Sequence, residues 1–66
     1  MFGEKIKQLR IDKNQDMETF AKNTSISLKR LTLIEDNKVS PNVKELTDIS
    51  NYCHVNIGTL FLSILS

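Results

Sequence analysis

The sequence predicts a compact all-α domain of five short helices. Apolar residues recur at helical spacing, as Phe2, Ile6 and Leu9 do at i, i+4 and i+7. Residues that favour helix starts precede several such segments, and polar stretches of a few residues separate them. No repeat, low-complexity run or linker interrupts this pattern, so residues 1–66 are expected to form a single domain.

Two helices are predicted in the first part of the chain. Helix one spans about Phe2–Asp12, and helix two spans about Met17–Asn23. Asn14, in the polar loop between them, suits a left-handed backbone conformation. Asp16 is expected to cap helix two, because its carboxylate can accept backbone N–H groups that a first turn leaves unpaired. Phe20 then faces the core.

Helix three is predicted over Leu28–Asp36. Ser27 is its expected N-cap, and Leu31 and Ile34 follow at i+4 and i+7 on one face. Asn37 comes directly after the helix, where a positive φ is expected, and asparagine is the best residue for that after glycine.

Two more helices are predicted near the end of the chain. The fourth starts at Ser40-Pro41, with the proline in its first turn. Its expected inner face consists of Val43, Leu46, Ile49 and Cys53. His54 occupies a helix-end position, and Asn56 caps a fifth helix that begins at Ile57.

The amino-acid composition argues against several classes of function. A chain of 66 residues has a thin core, and its single cysteine excludes an internal disulfide and a cysteine-rich zinc site. With one histidine and no glycine-rich loop, neither an enzyme nor a cofactor or metal site is expected. Residues 1–10 lack the apolar centre of a secretory signal, and the apolar end is too short to span a bilayer, so a cytoplasmic location without membrane contact is expected.

The charges are unevenly distributed, although the net charge is only +1. Basic residues cluster in two places: Lys5, Lys7, Arg10 and Lys13, and then Lys29, Arg30 and Lys38. From Ile49 to Ser66 the chain carries no charge at neutral pH, His54 aside.

The spacing within Asp16–Glu35 is the strongest signal. A small residue, Ala21, is followed by a turn residue, Ser25, and then by Leu31 and Ile34, as two helices crossing at a steep angle require. The stretch resembles the helix-turn-helix of the Cro/lambda-repressor-like (Xre-type) DNA-binding domains. Further segments resemble the same family in order: Gly3–Arg10, Ile34–Lys38, Pro41 and Val55–Phe61.

The resemblance implies a lambda-repressor-like fold and a sequence-specific transcriptional regulator that binds double-stranded DNA. Helix three would enter the major groove, and the start of helix two would touch the phosphate backbone. The DNA-binding residues carried over by position are Met17, Ser27, Leu28, Lys29, Thr32, Leu33, Asn37 and Lys38. Lys29 can donate to guanine, whereas leucine can make only apolar contacts, chiefly with thymine methyl groups.

The resemblance also implies an ion pair between Arg10 and Glu35, which would orient helix three without touching DNA. Both residues lie on apolar-periodic faces: Arg10 follows Ile6 and Leu9, and Glu35 follows Ile34. If such a pair is buried, removal of one partner costs about 3–5 kcal/mol.

Two departures from the family pattern favour alternatives. Met17 stands where the family commonly has a phosphate-binding glutamine. Leu28 and Leu33, predicted to be exposed opposite Leu31 and Ile34, would suit a protein contact better than base readout. A helix-turn-helix that binds a regulatory protein partner is therefore one alternative, and the DNA-binding piece of a longer regulator is another.

The uncharged end predicts a two-fold homodimer. Leu60 is expected to close the core, with Ile57 or Phe61 beside it. The expected interface consists of Ile57, Phe61, Leu62 and Leu65, with Leu62 and Leu65 as its main members. Two-fold symmetry would place two recognition helices about 34 Å apart, one turn of DNA.

Overall fold

The computed structural model describes residues 2–60, and all regular secondary structure in that range is helical. The first four helices are α1 (Phe2–Asp12), α2 (Met17–Thr24), α3 (Leu28–Glu35) and α4 (Val43–Cys53). A fifth, α5, covers residues 57–60 at the end of the described range. The predicted all-α class is confirmed. Between residues 2 and 60, no helix is long and apolar enough to cross a membrane.

Side-chain oxygens cap α2 and α3, as predicted. Asp16 accepts a hydrogen bond from the backbone N–H of Thr19 at 2.8 Å. Ser27 accepts one from the backbone N–H of Arg30 at 3.1 Å. Ser25 ends α2 in the left-handed conformation, with φ 58°. Because the connection is only three residues long, α3 packs directly against α2.

After each of the first four helices, one residue adopts the left-handed backbone conformation, and none of these four residues is glycine. Asn14, Ser25, Asn37 and His54 all have φ between 56° and 59°. The predictions for Asn14 and Asn37 are confirmed. Each of these residues turns the chain out of the preceding helix, at a cost in backbone strain that glycine would not carry.

A capping box fixes the start of α4. The amide oxygen of Asn42 accepts from the backbone N–H of Glu45 at 2.7 Å, and Glu45 Oε1 accepts from the backbone N–H of Asn42 at 2.9 Å. Two donors are thereby satisfied reciprocally. The helix consequently begins at Val43, and the prediction that Pro41 lies in its first turn is wrong, because Pro41 precedes the cap.

The inner face of α4 is shorter than predicted. Leu46 and Ile49 are buried and Cys53 is half-buried, but Val43 is 68% exposed. The assignment of Val43 to the inner face is therefore wrong. Helical periodicity places Val43 on the same face as Leu46, but Val43 is the first residue of α4 and lies at the edge of that face.

Among residues 2–60, nine apolar residues form the core, and all five helices contribute to it. They are Ile6, Phe20, Ala21, Ile26, Leu31, Ile34, Leu46, Ile49 and Leu60. Tyr52 of α4 packs edge-on against Phe20, with ring centroids 5.7 Å apart. Since α3 contacts both α1 and α2, its inner face is held on two sides.

Gly3 allows α1 to approach the end of α3 closely. A Cβ at this position would lie 2.6 Å from the carbonyl oxygen of Ile34 and 2.7 Å from that of Glu35. The backbone N–H of Gly3 donates to Asn37 Oδ1 at 3.0 Å. The first turn of α1 is thus packed against the last turn of α3 and the loop that follows.

Candidate nucleic-acid interface

Arg10 and Glu35 form a two-point ion pair between α1 and the end of α3. Arg10 Nε lies 2.9 Å from Glu35 Oε2, and Nη2 lies 3.1 Å from Oε1. The side chains are 13% and 1% exposed, so the pair is almost entirely shielded from water. The remaining guanidinium nitrogen, Nη1, donates to the carbonyl of Gln15 at 3.0 Å. This arrangement fixes the end of α3 relative to α1.

A second arginine pair, which the sequence analysis missed, holds the other end of α3. Arg30 Nε and Nη2 bind the two carboxylate oxygens of Glu45 at 3.0 and 2.7 Å. The sequence alone places Arg30 in a basic cluster with Lys29 and Lys38. In the structure its charge is directed towards α4, and its side chain is 39% exposed.

These contacts leave one face of α3 open. We define the outer face as Leu28, Lys29, Thr32 and Leu33. Leu28 is 43% exposed and Lys29 is exposed, whereas Thr32 and Leu33 are half-buried. The prediction that Leu33 is exposed is therefore corrected. The chain turns back after α3, and the backbone N–H groups of Lys38 and Val39 donate to the carbonyl of Leu33, which covers this end of the face.

Thr32 is tied into its own helix. Its hydroxyl donates to the carbonyl of Leu28 at 2.8 Å, and the same oxygen lies 3.6 Å from Met17 Sδ. Met17 is half-buried and packs against the core, so its side chain serves the contact between α2 and α3. The carboxylates of Asp16 and Glu18 are exposed at the start of α2, where they would oppose a phosphate near Met17.

Two of the predicted DNA-binding residues, Asn37 and Lys38, lie in the loop after α3, and both are exposed. Asn37 uses Oδ1 to accept from Gly3, so this predicted DNA contact also has a structural role. Ser27, at the opposite end of α3, is exposed and accepts the capping hydrogen bond with Oγ, which leaves its hydroxyl proton able to donate.

A polar cluster on α4 was also missed by the sequence analysis. The Tyr52 hydroxyl accepts from Gln15 Nε2 at 2.5 Å and from Asn23 Nδ2 at 2.9 Å. Lys13 Nζ lies 4.6 Å from the centroid of the Tyr52 ring. These contacts join the loop before α2 and the last turn of α2 to α4. No local sequence signal could have found these contacts, because the residues they join are at least 29 positions apart in the chain.

Four groups among these contacts and caps have shifted pKa values, and the hydrogen bond to Glu45 raises that of Arg30. Hydrogen bonds from the Arg30 guanidinium hold the pKa of the Glu45 carboxyl below its ordinary value. The hydrogen bond from the Thr19 backbone lowers the pKa of Asp16. Burial raises the pKa of the Cys53 thiol, and Lys13 partly opposes that shift. Both carboxylates are therefore charged at neutral pH.

The predicted dimer interface falls mostly outside the described residues. Phe61, Leu62 and Leu65 lie beyond residue 60. Ile57 is half-buried and packs against the domain's own core, beside the fully buried Leu60. Ile57 therefore packs mainly within its own domain, and only the exposed part of its side chain could contact a second copy.

Within the described part of the chain, no group of three or more His, Cys, Asp or Glu residues is arranged to hold a metal ion. Comparison of the chain with protein-family models, curated proteins and solved structures finds no match.

Proposed function

We propose that this chain is a sequence-specific DNA-binding transcriptional regulator of the Cro/lambda-repressor-like (Xre-type) class. In this proposal α2 and α3 form a helix-turn-helix, and α3 enters the major groove. The observation that supports this proposal best is that α3 is fixed in place and exposes part of its outer face. An ion pair fixes the helix at each end, while Leu28 and Lys29 on its outer face remain exposed.

The dimensions of α3 support this function. An α-helix with its side chains is about 10–12 Å across, which fits the width of about 12 Å of the major groove, and the eight residues of α3 span about 12 Å along the helix axis. Lys29 lies in its first turn, where helix-turn-helix proteins contact base edges. Lys38 lies in the loop beyond its last turn, and a lysine there can bind a phosphate and set register.

We also propose that the regulator is a two-fold dimer on its operator. The support is the uncharged sequence from Ile49 to Ser66, which includes Leu62 and Leu65. The double variant Leu62→Lys/Leu65→Lys should convert dimer to monomer while keeping its helical content. A wild-type chain that sediments as a monomer at high micromolar concentration, both free and on DNA, would contradict the dimer.

Selection of bound sequences from random duplex DNA tests the main proposal. We expect a defined motif to be enriched, and binding to the selected duplex should weaken steeply with salt. Lys29→Ala should weaken that binding by about 1–3 kcal/mol and relax the preference at one base pair. Lys38→Ala should weaken binding to all sequences similarly and reduce the salt slope by about 1.

The matched control is Lys7→Ala, which removes the same charge from an exposed position on α1. It should leave the selected motif unchanged. If Lys29→Ala and Lys7→Ala have equal effects, Lys29 is not a base contact.

One observation favours a second candidate function. Leu28 is 43% exposed at the start of α3, which also suits a contact with a protein partner. A simple binding measurement distinguishes this alternative from DNA binding. A folded chain that fails to bind random duplex DNA even at low salt would exclude DNA binding and leave the protein contact as the function of this face.

A further inference from the structure

Both arginines of the chain are occupied inside the domain. Arg10 binds Glu35 and Arg30 binds Glu45, each through two nitrogens. Arginine bound through two nitrogens to guanine O6 and N7 is the commonest specific contact between proteins and bases. This chain can make that contact only by breaking an ion pair that positions α3.

The polar side chains that read adenine are missing from the outer face. Asparagine and glutamine read adenine through two hydrogen bonds, and the outer face contains neither. The hydroxyl proton of Thr32 is donated to the carbonyl of Leu28. Lys29 is therefore the one charged donor on this face.

The outer face begins with an apolar side chain instead. Leu28 is the first residue of α3 and is 43% exposed, and Leu33 is half-buried at the other end of the face. In the major groove the one apolar group that a base edge presents is the C5 methyl of thymine. Lys29 and Lys38 supply positive charge beside the leucines, which complements the phosphates on either side of the groove.

We propose that the chain recognises its operator mainly through thymine methyl groups, with Leu28 as the principal specificity-determining residue. This inference rests on the proposed DNA-binding function and deepens it. The preferred operator then contains thymine at the base pair facing Leu28. At the base pair that faces Lys29, the preferred operator contains guanine.

Replacing thymine by deoxyuridine tests this directly, because it deletes only the C5 methyl. In a duplex of the selected sequence, the thymines are replaced one at a time and the affinity of the full chain is measured by fluorescence anisotropy. At one position, replacing thymine by deoxyuridine should lower the affinity of the chain for the duplex about three- to fivefold. That is the effect expected from one buried methyl group. The same pair changed to 5-methylcytosine·guanine should bind more tightly than cytosine·guanine by a similar factor.

A variant pair assigns the effect to Leu28. Leu28→Ala should remove the difference between thymine and deoxyuridine at that position. Lys29→Ala should weaken binding to both duplexes equally and so preserve their ratio. Circular dichroism checks that both variants remain folded. If Leu28→Ala does not fold, the wild-type comparison of thymine, deoxyuridine and 5-methylcytosine still decides the proposal.

Two kinds of failure are distinguishable. Specific, salt-dependent binding with no loss at any deoxyuridine position would overturn methyl recognition and leave DNA binding intact. So would a Leu28→Ala variant that still distinguishes thymine from deoxyuridine. Absence of binding to any duplex at low salt would overturn both proposals together.

Discussion

The pairs Arg10–Glu35 and Arg30–Glu45 have the same chemistry in different surroundings. In each, Nε and Nη2 of the arginine bind the two oxygens of one glutamate at 2.7 to 3.1 Å. The side chains of the first pair are 13% and 1% exposed, and those of the second are 39% and 11% exposed. The geometry is therefore matched, and exposure to water is the main variable.

The difference shows that similar ion pairs can have unequal roles. Where water is excluded, the attraction between the charges is strong and a lone remaining charge is costly. At a partly exposed site, water screens the attraction and solvates whichever partner remains. We expect Arg10–Glu35 to be required for folding and Arg30–Glu45 mainly to orient the start of α3.

The largest expected effect comes from breaking the buried pair. Glu35→Ala should lower the free energy of unfolding by about 3–5 kcal/mol, because it leaves the Arg10 guanidinium shielded from water without its carboxylate. Urea denaturation followed by circular dichroism measures this loss. Asp36→Ala, which removes an exposed acid from the next position, is the control and should cost far less.

That loss is comparable with the whole stability expected of 66 residues, about 3–10 kcal/mol. A second variant therefore keeps the test decisive if Glu35→Ala does not fold. Arg10→Met/Glu35→Leu replaces both charges by apolar groups and should recover most of the stability. A double variant no more stable than Glu35→Ala would show that the damage is not due to an unpaired charge.

The second effect tests the packing around the buried pair. Gly3→Ala should lower the free energy of unfolding by about 1–3 kcal/mol, because its Cβ would meet backbone carbonyls of α3 at 2.6 and 2.7 Å. Gly58→Ala is the matched control, since its Cβ would meet only the Asn56 side chain, at 3.0 Å. Equal losses from the two variants would contradict a close contact specific to α1 and α3.

A third, smaller effect separates backbone strain from hydrogen bonding. Ser25→Gly should raise the free energy of unfolding by about 1 kcal/mol, because glycine relieves the left-handed φ of 58°. Asn37→Gly relieves the same strain beside the buried pair but loses the hydrogen bond to Gly3, which is worth about 0.5–1.5 kcal/mol. Thermal unfolding should therefore show a gain for Ser25→Gly and little change for Asn37→Gly. A gain of equal size would indicate that the bond to Gly3 contributes nothing.

Breaking the less buried pair, Arg30–Glu45, should change the free energy of unfolding least at neutral pH and should alter its pH dependence in acid. The Arg30 hydrogen bonds lower the folded-state pKa of Glu45 below its ordinary 4.5. The resulting stability is present above the unfolded-state pKa and is lost as pH falls through the folded-state value. Glu45→Gln and Arg30→Gln should each make stability less dependent on pH below about pH 4.5. Unfolding curves between pH 3 and 7 measure this, and a wild-type pH dependence in both variants would contradict it.

Local patterns predicted most of the fold and only part of the candidate site. Caps such as Asp16 and Ser27 act within three residues, so the sequence shows them directly. The Arg30–Glu45 pair was missed because a basic residue next to Lys29 looks like surface charge until α4 is in place. The predicted burial of Val43 and the predicted exposure of Leu33 are wrong for a related reason. Periodicity gives the direction of a side chain, but neighbouring segments decide how much of it is covered.

The link between α1 and the end of α3 has a consequence for synthesis of the chain. Glu35 follows Arg10 by 25 residues, and Asn37 follows Gly3 by 34. At about 5–20 residues per second, the ribosome needs about 1–5 s to add the 25 residues. During that interval Arg10 has no Glu35 to pair with, and Ile6 lacks the core residues that α3 supplies. Within this domain α1 is synthesised before the residues that secure it, so the nascent domain should become resistant to protease only after α3 has emerged.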